Sequence, residues 1–208
     1  MTVFIATSVA LLTAFAASPA AQASPGIADR GSATTSKGLE VAGFDAEVAA
    51  KNGYAIVTLP DGSRTSVRKE LAESVSKGVT APTGAILPPD GDYGTLGYDA
   101  EDGTCGLSWV RLLAMGSGNA DLGTGFTVRL DWPGIWDINW RVNITDAGGS
   151  SQQTGYGAPS GTWTWSSTRI LHLTPSLATA GIPFYSYVLL QDGTICYSLG
   201  PSTTEYIT

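Results

Sequence analysis

The chain has 208 residues, with 11 Lys or Arg against 18 Asp or Glu for a net charge of −7, and it carries 26 Gly, 11 Pro and two Cys. The negative balance sits in the C-terminal part: residues 29–77 hold seven basic and seven acidic side chains, residues 90–208 four Arg, no Lys and eleven acids. Such a surface repels phosphate backbones and anionic lipid, which excludes nucleic acid as a partner.

The first 23 residues, MTVFIATSVALLTAFAASPAAQA, carry no charge. Their apolar run ends at Ala21-Gln22-Ala23, a small-x-small site, which is the pattern of a secretory signal peptide cleaved before Ser24. The usual basic residue ahead of the run is missing. No later segment is apolar enough to span a membrane. Residues 24–38 are small, polar and aperiodic, as expected of a disordered lead-in. Residues 39–77 read as a small helix-plus-hairpin extension. Asp45 caps a short helix that Asn52-Gly53 ends. Residues 54–59 and 64–68 form strands joined by the turn Pro60-Asp61-Gly62-Ser63. Residues 78–97, rich in Gly and Pro, read as a linker.

The β domain is expected over residues 98–208, with strands near 104–114, 125–132, 135–145, 162–174, 183–191, 194–198 and 203–207. Its clearest stretch is FTVRLDWPGIWDINWRVNIT, residues 126–145. Phe126, Val128, Leu130 and Trp132 alternate with polar residues, and so do Trp136, Ile138, Trp140, Val142 and Ile144. Period two over this length means two strands, each with one buried face, and it assigns Trp132, Trp136 and Trp140 to the core. A two-residue hairpin at Pro133-Gly134 would break that pattern, so an arch between layers is expected there. Asp192-Gly193 is the strongest hairpin signal and sets Leu190 opposite Ile195 and Leu189 opposite Cys196. Many short strands with frequent turns predict an all-β fold, an antiparallel β-sandwich of immunoglobulin-like or jelly-roll-like architecture. The Cys–Trp–Cys order of true immunoglobulin domains is not met.

Cys105 and Cys196 lie 91 residues apart. In an exported protein an even pair reads as one disulfide, here closing nearly the whole β domain. The two Cys and the single His172 match no zinc spacing, and no metal or other cofactor is expected.

Catalytic signals are weak. His172 lies on the more polar face of its strand, and no G-x-S-x-G elbow is present, since Gly106-Leu107-Ser108-Trp109-Val110 lacks the closing Gly. The acids Asp90, Asp92, Asp99, Glu101 and Asp102 lie in Gly-rich sequence without EF-hand spacing. The ligand-binding candidates are aromatic: Tyr156 in a Gly/Pro loop, Trp163 and Trp165 on the strand after it, and Tyr185 and Tyr187, which share one parity in FYSYVLL. Aromatic faces in a flat strip suit sugar rings.

AKNGYAIVTLPDGSRTSVRKE, residues 50–70, and DGTCGLSWVRL, residues 102–112, resemble a loose group of small secreted actinobacterial proteins. These have a signal, a hairpin-like pro-segment and a disulfide-closed β domain. The resemblance implies secretion and that fold, and no activity. The expectation is a secreted, extracellular binding or interaction module whose target is a glycan or an extracellular protein. The alternatives are a small secreted hydrolase and a structural surface protein.

Overall fold

The computed structural model describes residues 34–89, 103–157 and 160–208. The expected signal peptide and the acids from Asp90 to Asp102 lie outside the described residues. Among those described, no helix is long and apolar enough to cross a membrane.

The chain is mainly antiparallel β-sheet. It opens with β1 (Thr34–Phe44), α1 (Ala46–Lys51), β2 (Tyr54–Thr58), β3 (Arg64–Arg68), α2 (Ala72–Ser76) and β4 (Ile86–Leu87). Then follow β5 (Gly106–Gly116), β6 (Asn119–Val128), β7 (Ile135–Asp146), β8 (Gly149–Gly155) and β9 (Thr164–His172). The last are β10 (Leu177–Gly181), β11 (Tyr187–Leu190), β12 (Thr194–Ser198) and β13 (Ser202–Tyr206). Ten strands form one sheet in the order β13-β10-β7-β11-β12-β1-β5-β6-β9, with β8 added on β7, and β2-β3-β4 form a second, small sheet.

The large sheet folds over on itself. Along its path β6 lies five strands from β7, about 24 Å away were the sheet flat. Yet the rings of Phe126 on β6 and Trp140 on β7 have centroids 4.9 Å apart, and the Trp140 indole N–H donates to Thr124 Oγ1 of β6 at 2.9 Å. The inner faces of β6 and β7 therefore meet in one core, with Val110, Leu112, Leu122, Val128, Ile138 and Val142 buried around them. A side chain joins β9, at one end of the path, to β8: Arg169 of β9 donates to Gln153 Oε1 at 3.1 Å and to the Thr154 carbonyl of β8 at 2.9 Å. β6 and β7 are not paired with each other, so the chain between them is an arch.

Several expectations need correction. The lead-in and extension are not separate from the β body at residues 34–44, because β1 is a central strand between β12 and β5. Its Thr- and Ser-rich sequence has little apolar alternation; hydrogen bonds on both edges make it a strand. The linker contains β4, which pairs with β3 and buries Leu87. The second strand begins at Asn119 and stops at Val128, leaving Leu130 exposed. Trp136 is 38 % exposed. On β11, Leu189 pairs with Asp137 and Leu190 with Ile135, so Trp136 is the extra residue of a bulge that turns Ile135 inward instead. Trp132 is only partly buried against the core. The hairpin at Asp192-Gly193 forms one residue out of the expected register, with Leu189 opposite Ile195 and Val188 opposite Cys196. Gly193 takes the left-handed position (φ +83) that a three-residue loop requires. By contrast, Asp45 caps α1 as expected, its carboxylate accepting from the Glu47 and Val48 amides.

The segment between β1 and β5 docks on that hairpin. The Asp45 amide donates to the Gly193 carbonyl at 2.7 Å, and the Ser66 hydroxyl donates to the Asp192 carbonyl at 2.6 Å. The Asp192 carboxyl beneath them is 3 % exposed; burial raises its pKa above the ordinary 3.8, against the opposing pull of the Thr194 amide. Cys105 and Cys196 form the expected disulfide with a Cα separation of 6.1 Å, within the usual range.

Candidate functional site

Inward Trp140 and Val142 send Asn139, Arg141 and Asn143 of β7 to the outer face. β11 brings Tyr187 opposite Asn139, and β8 brings Gln152 opposite Asn143. Just before β11, Tyr185 is 49 % exposed. Its ring sits by the Arg141 guanidinium, with 5.5 Å between Cζ and the ring centroid, and its hydroxyl accepts from Gln152 Nε2 at 3.0 Å. Gln152 also donates to Asn143 Oδ1 at 2.7 Å and accepts from Arg141 Nη1 at 3.3 Å. Arg141 Nε donates to Asn139 Oδ1 at 3.2 Å. The buried Ser186 hydroxyl bonds the Arg141 backbone and anchors the Tyr185–Tyr187 segment to β7. Tyr187 in turn faces Tyr197 of β12, ring centroids 6.0 Å apart.

The result is an outward strip in which partly exposed aromatic rings alternate with amide and guanidinium groups. The side-chain network holds the Tyr185 ring before anything binds, which lowers the entropic cost of association. A ligand that offers C–H faces to the rings and hydroxyls to the amides fits such a strip.

Two of the other sequence candidates, Trp165 and Trp163, lie elsewhere. Trp165 pairs across strands with Phe126 and points to the core, stacked on Phe126 at 5.9 Å and edge-on to Trp140 at 6.4 Å. A cavity of about 10 Å³ beside it, bordered also by Thr124 and Arg169, is no larger than one water. Trp163 is half-buried and its indole N–H is held by the Trp132 carbonyl at 2.7 Å. Tyr156 follows the last residue of β8 and is 73 % exposed. Tyr185 and Tyr187 share the strip; Trp163 and Trp165 do not join it. Asn139, Arg141, Asn143, Gln152 and Tyr197 were missed as site residues. The polar parity of β7 already marked the first three, but their aromatic neighbours come from strands remote in sequence.

Hydrolytic chemistry finds no assembled constellation among the described residues. Ser108 is wholly buried and its hydroxyl donates to the Lys37 carbonyl. His172 Nδ1 faces Asn119 Oδ1 at 3.4 Å. The Asp146 carboxylate, which lines the same open cleft as His172, accepts from the Gly148 and Thr174 amides at 2.8 and 2.7 Å and so ties the turn after β7 to the connection between β9 and β10. The described residues include no group of three or more His, Cys, Asp or Glu placed to hold a metal. No family model, no curated protein and no solved structure matches the chain.

Proposed function

We propose that the protein is an exported binding module of the β-sandwich kind that recognises glycan through the strip of Tyr185, Tyr187 and Tyr197. The observation that carries this reading is Tyr185 itself, exposed yet held by Arg141 and Gln152. Export is supported by the uncharged N-terminal run, by the disulfide and by the resemblance to small secreted actinobacterial β-domain proteins. The acidic balance favours a neutral target over an anionic one.

Retention on insoluble glycans tests the reading. Tyr185→Ala and Tyr187→Ala each remove one ring from the strip, and each should weaken retention about tenfold, near the lower end of what the loss of a base-stacking aromatic costs. The melting temperature should stay near that of the unaltered protein. Equal retention of both variants overturns the glycan reading. Failure of the unaltered protein to bind any glycan, with the strip instead needed for capture of an extracellular protein, replaces it.

A further inference from the structure

A further aromatic side chain, the partly exposed Trp109, lies on β5. Ser108 and Val110 of β5 are both wholly buried, so Trp109 between them points outward. Its indole crosses the neighbouring strand β6 at two glycines. A methyl group on Gly123 would sit 3.2 Å from Cζ3 of the indole, and one on Gly125 2.9 Å from Cζ2. The ring therefore lies over the β6 backbone at these two glycines. Glycine is disfavoured inside a strand and marks a place where something approaches the backbone closely; here two alternate glycines make a bed for one indole.

Leu107 flanks the ring on one side along β5, and the rest of its border is polar. Arg111, next on the same face, lies over Gly123 and pairs with Asp121. Exposed Ser166 and Thr168 of β9 stand opposite Gly125 and Gly123, and exposed Ser36 of β1 stands opposite Trp109. Protein-docking surfaces are depleted of serine at their centre. A pyranose ring suits this border better: its C–H edge carries the partial positive charge that an indole face attracts, and its hydroxyls meet groups that both donate and accept.

We propose that Trp109 is the stacking platform of a second glycan site, taking a neutral polysaccharide chain. Phe126 and Trp140 meet inside the molecule, so the outer faces of β6 and β7 point away from each other. Trp109 and the Tyr185 strip are then back to back, and one molecule bridges two chains. The bridging rests on the function proposed above; the Trp109 site does not.

Calorimetric titration with cellohexaose, chitohexaose, xylohexaose and mannohexaose tests this. At least one sugar should bind with two sites per molecule, and Trp109→Ala should leave one. Removing the indole uncovers the glycine bed and can weaken the fold. Ser166→Arg is the second variant: at an exposed position it lays a long side chain across the ring, and it should remove the same site at an unchanged melting temperature. Tyr185→Ala should remove the other. A single Tyr185-dependent site, untouched by Trp109→Ala and Ser166→Arg, overturns this inference and leaves the first reading standing. A single site lost in both Trp109→Ala and Ser166→Arg but kept in Tyr185→Ala supports the Trp109 platform and overturns the first reading and the bridging with it. Absence of any Trp109-dependent binding across the four sugars overturns the proposal.

Discussion

Trp140 is wholly enclosed, its indole N–H bonded to Thr124 and its ring set against Phe126 and Trp165. Trp140→Ala should cost about 3–5 kcal/mol, the usual range for losing a buried aromatic. Trp136, four residues earlier on the same strand, should cost less than about 1 kcal/mol as Ala, as surface changes do. Urea unfolding of the two variants measures both, and the reverse order would move the bulge off Trp136. The alternation in the sequence marked Ile138 to Ile144 as inward but could not show the bulge, because the extra residue is defined only by pairing with Leu189 and Leu190. Asp192 gives a pH dependence of known sign. Its folded-state pKa is raised by burial above about 3.8, so the folded chain keeps the proton while the unfolded chain gives it up. The stability from this group is full below that unfolded value and is lost as pH rises through the raised folded one. Asp192→Asn keeps the Oδ1 acceptor for the Thr194 amide and removes the charge. Its melting temperature should pull ahead of the unaltered protein as pH climbs from about 3.8 toward neutrality. A gap that is constant with pH would show that the carboxyl titrates alike in both states.

Among the elements, the hairpins whose turns carry their own chemistry were legible. β3 and β12 have the expected limits, whereas Ser117-Gly118, both at positive φ, closes β5 directly onto β6, where the second strand was expected only from residue 125. β8, with the sequence Gly-Ser-Ser-Gln-Gln-Thr-Gly, has no apolar residue and no alternation to read; its strand form comes from pairing along β7. β1 is the more consequential case, since it holds β5 and β12 together and brings Leu39 and Val41 into the core. A chain lacking residues 1–44 would leave two strand edges bare in the middle of the sheet. It should show no cooperative melt and no near-ultraviolet dichroism. A cooperative melt from that truncated chain would mean that β1 is dispensable.

At the scale of the whole molecule, the site was legible only in pieces. Period two told inward from outward within a strand, but five aromatic candidates sorted into different places once the sheet folded over. Trp165 was drawn inward by its cross-strand partner Phe126, while Tyr185 and Tyr187 were left outside. The strand order brings Cys105, just ahead of β5, against Cys196 of β12 with β1 between those strands. The bond closes a loop of 91 residues, and chain entropy for such a loop gives about 4–5 kcal/mol. Non-reducing mass measurement should find the native chain two hydrogens lighter than the reduced one. Replacing both Cys105 and Cys196 with Ala should lower the unfolding free energy by about that amount. The cost should fall on the unfolded state, so the denaturant slope should rise as the freed chain expands and exposes more surface. Two thiols open to alkylation in the native protein would remove the bond from the fold. A loss below about 1 kcal/mol would place the closure of the sheet in its hydrogen bonds and core, with the disulfide a minor partner.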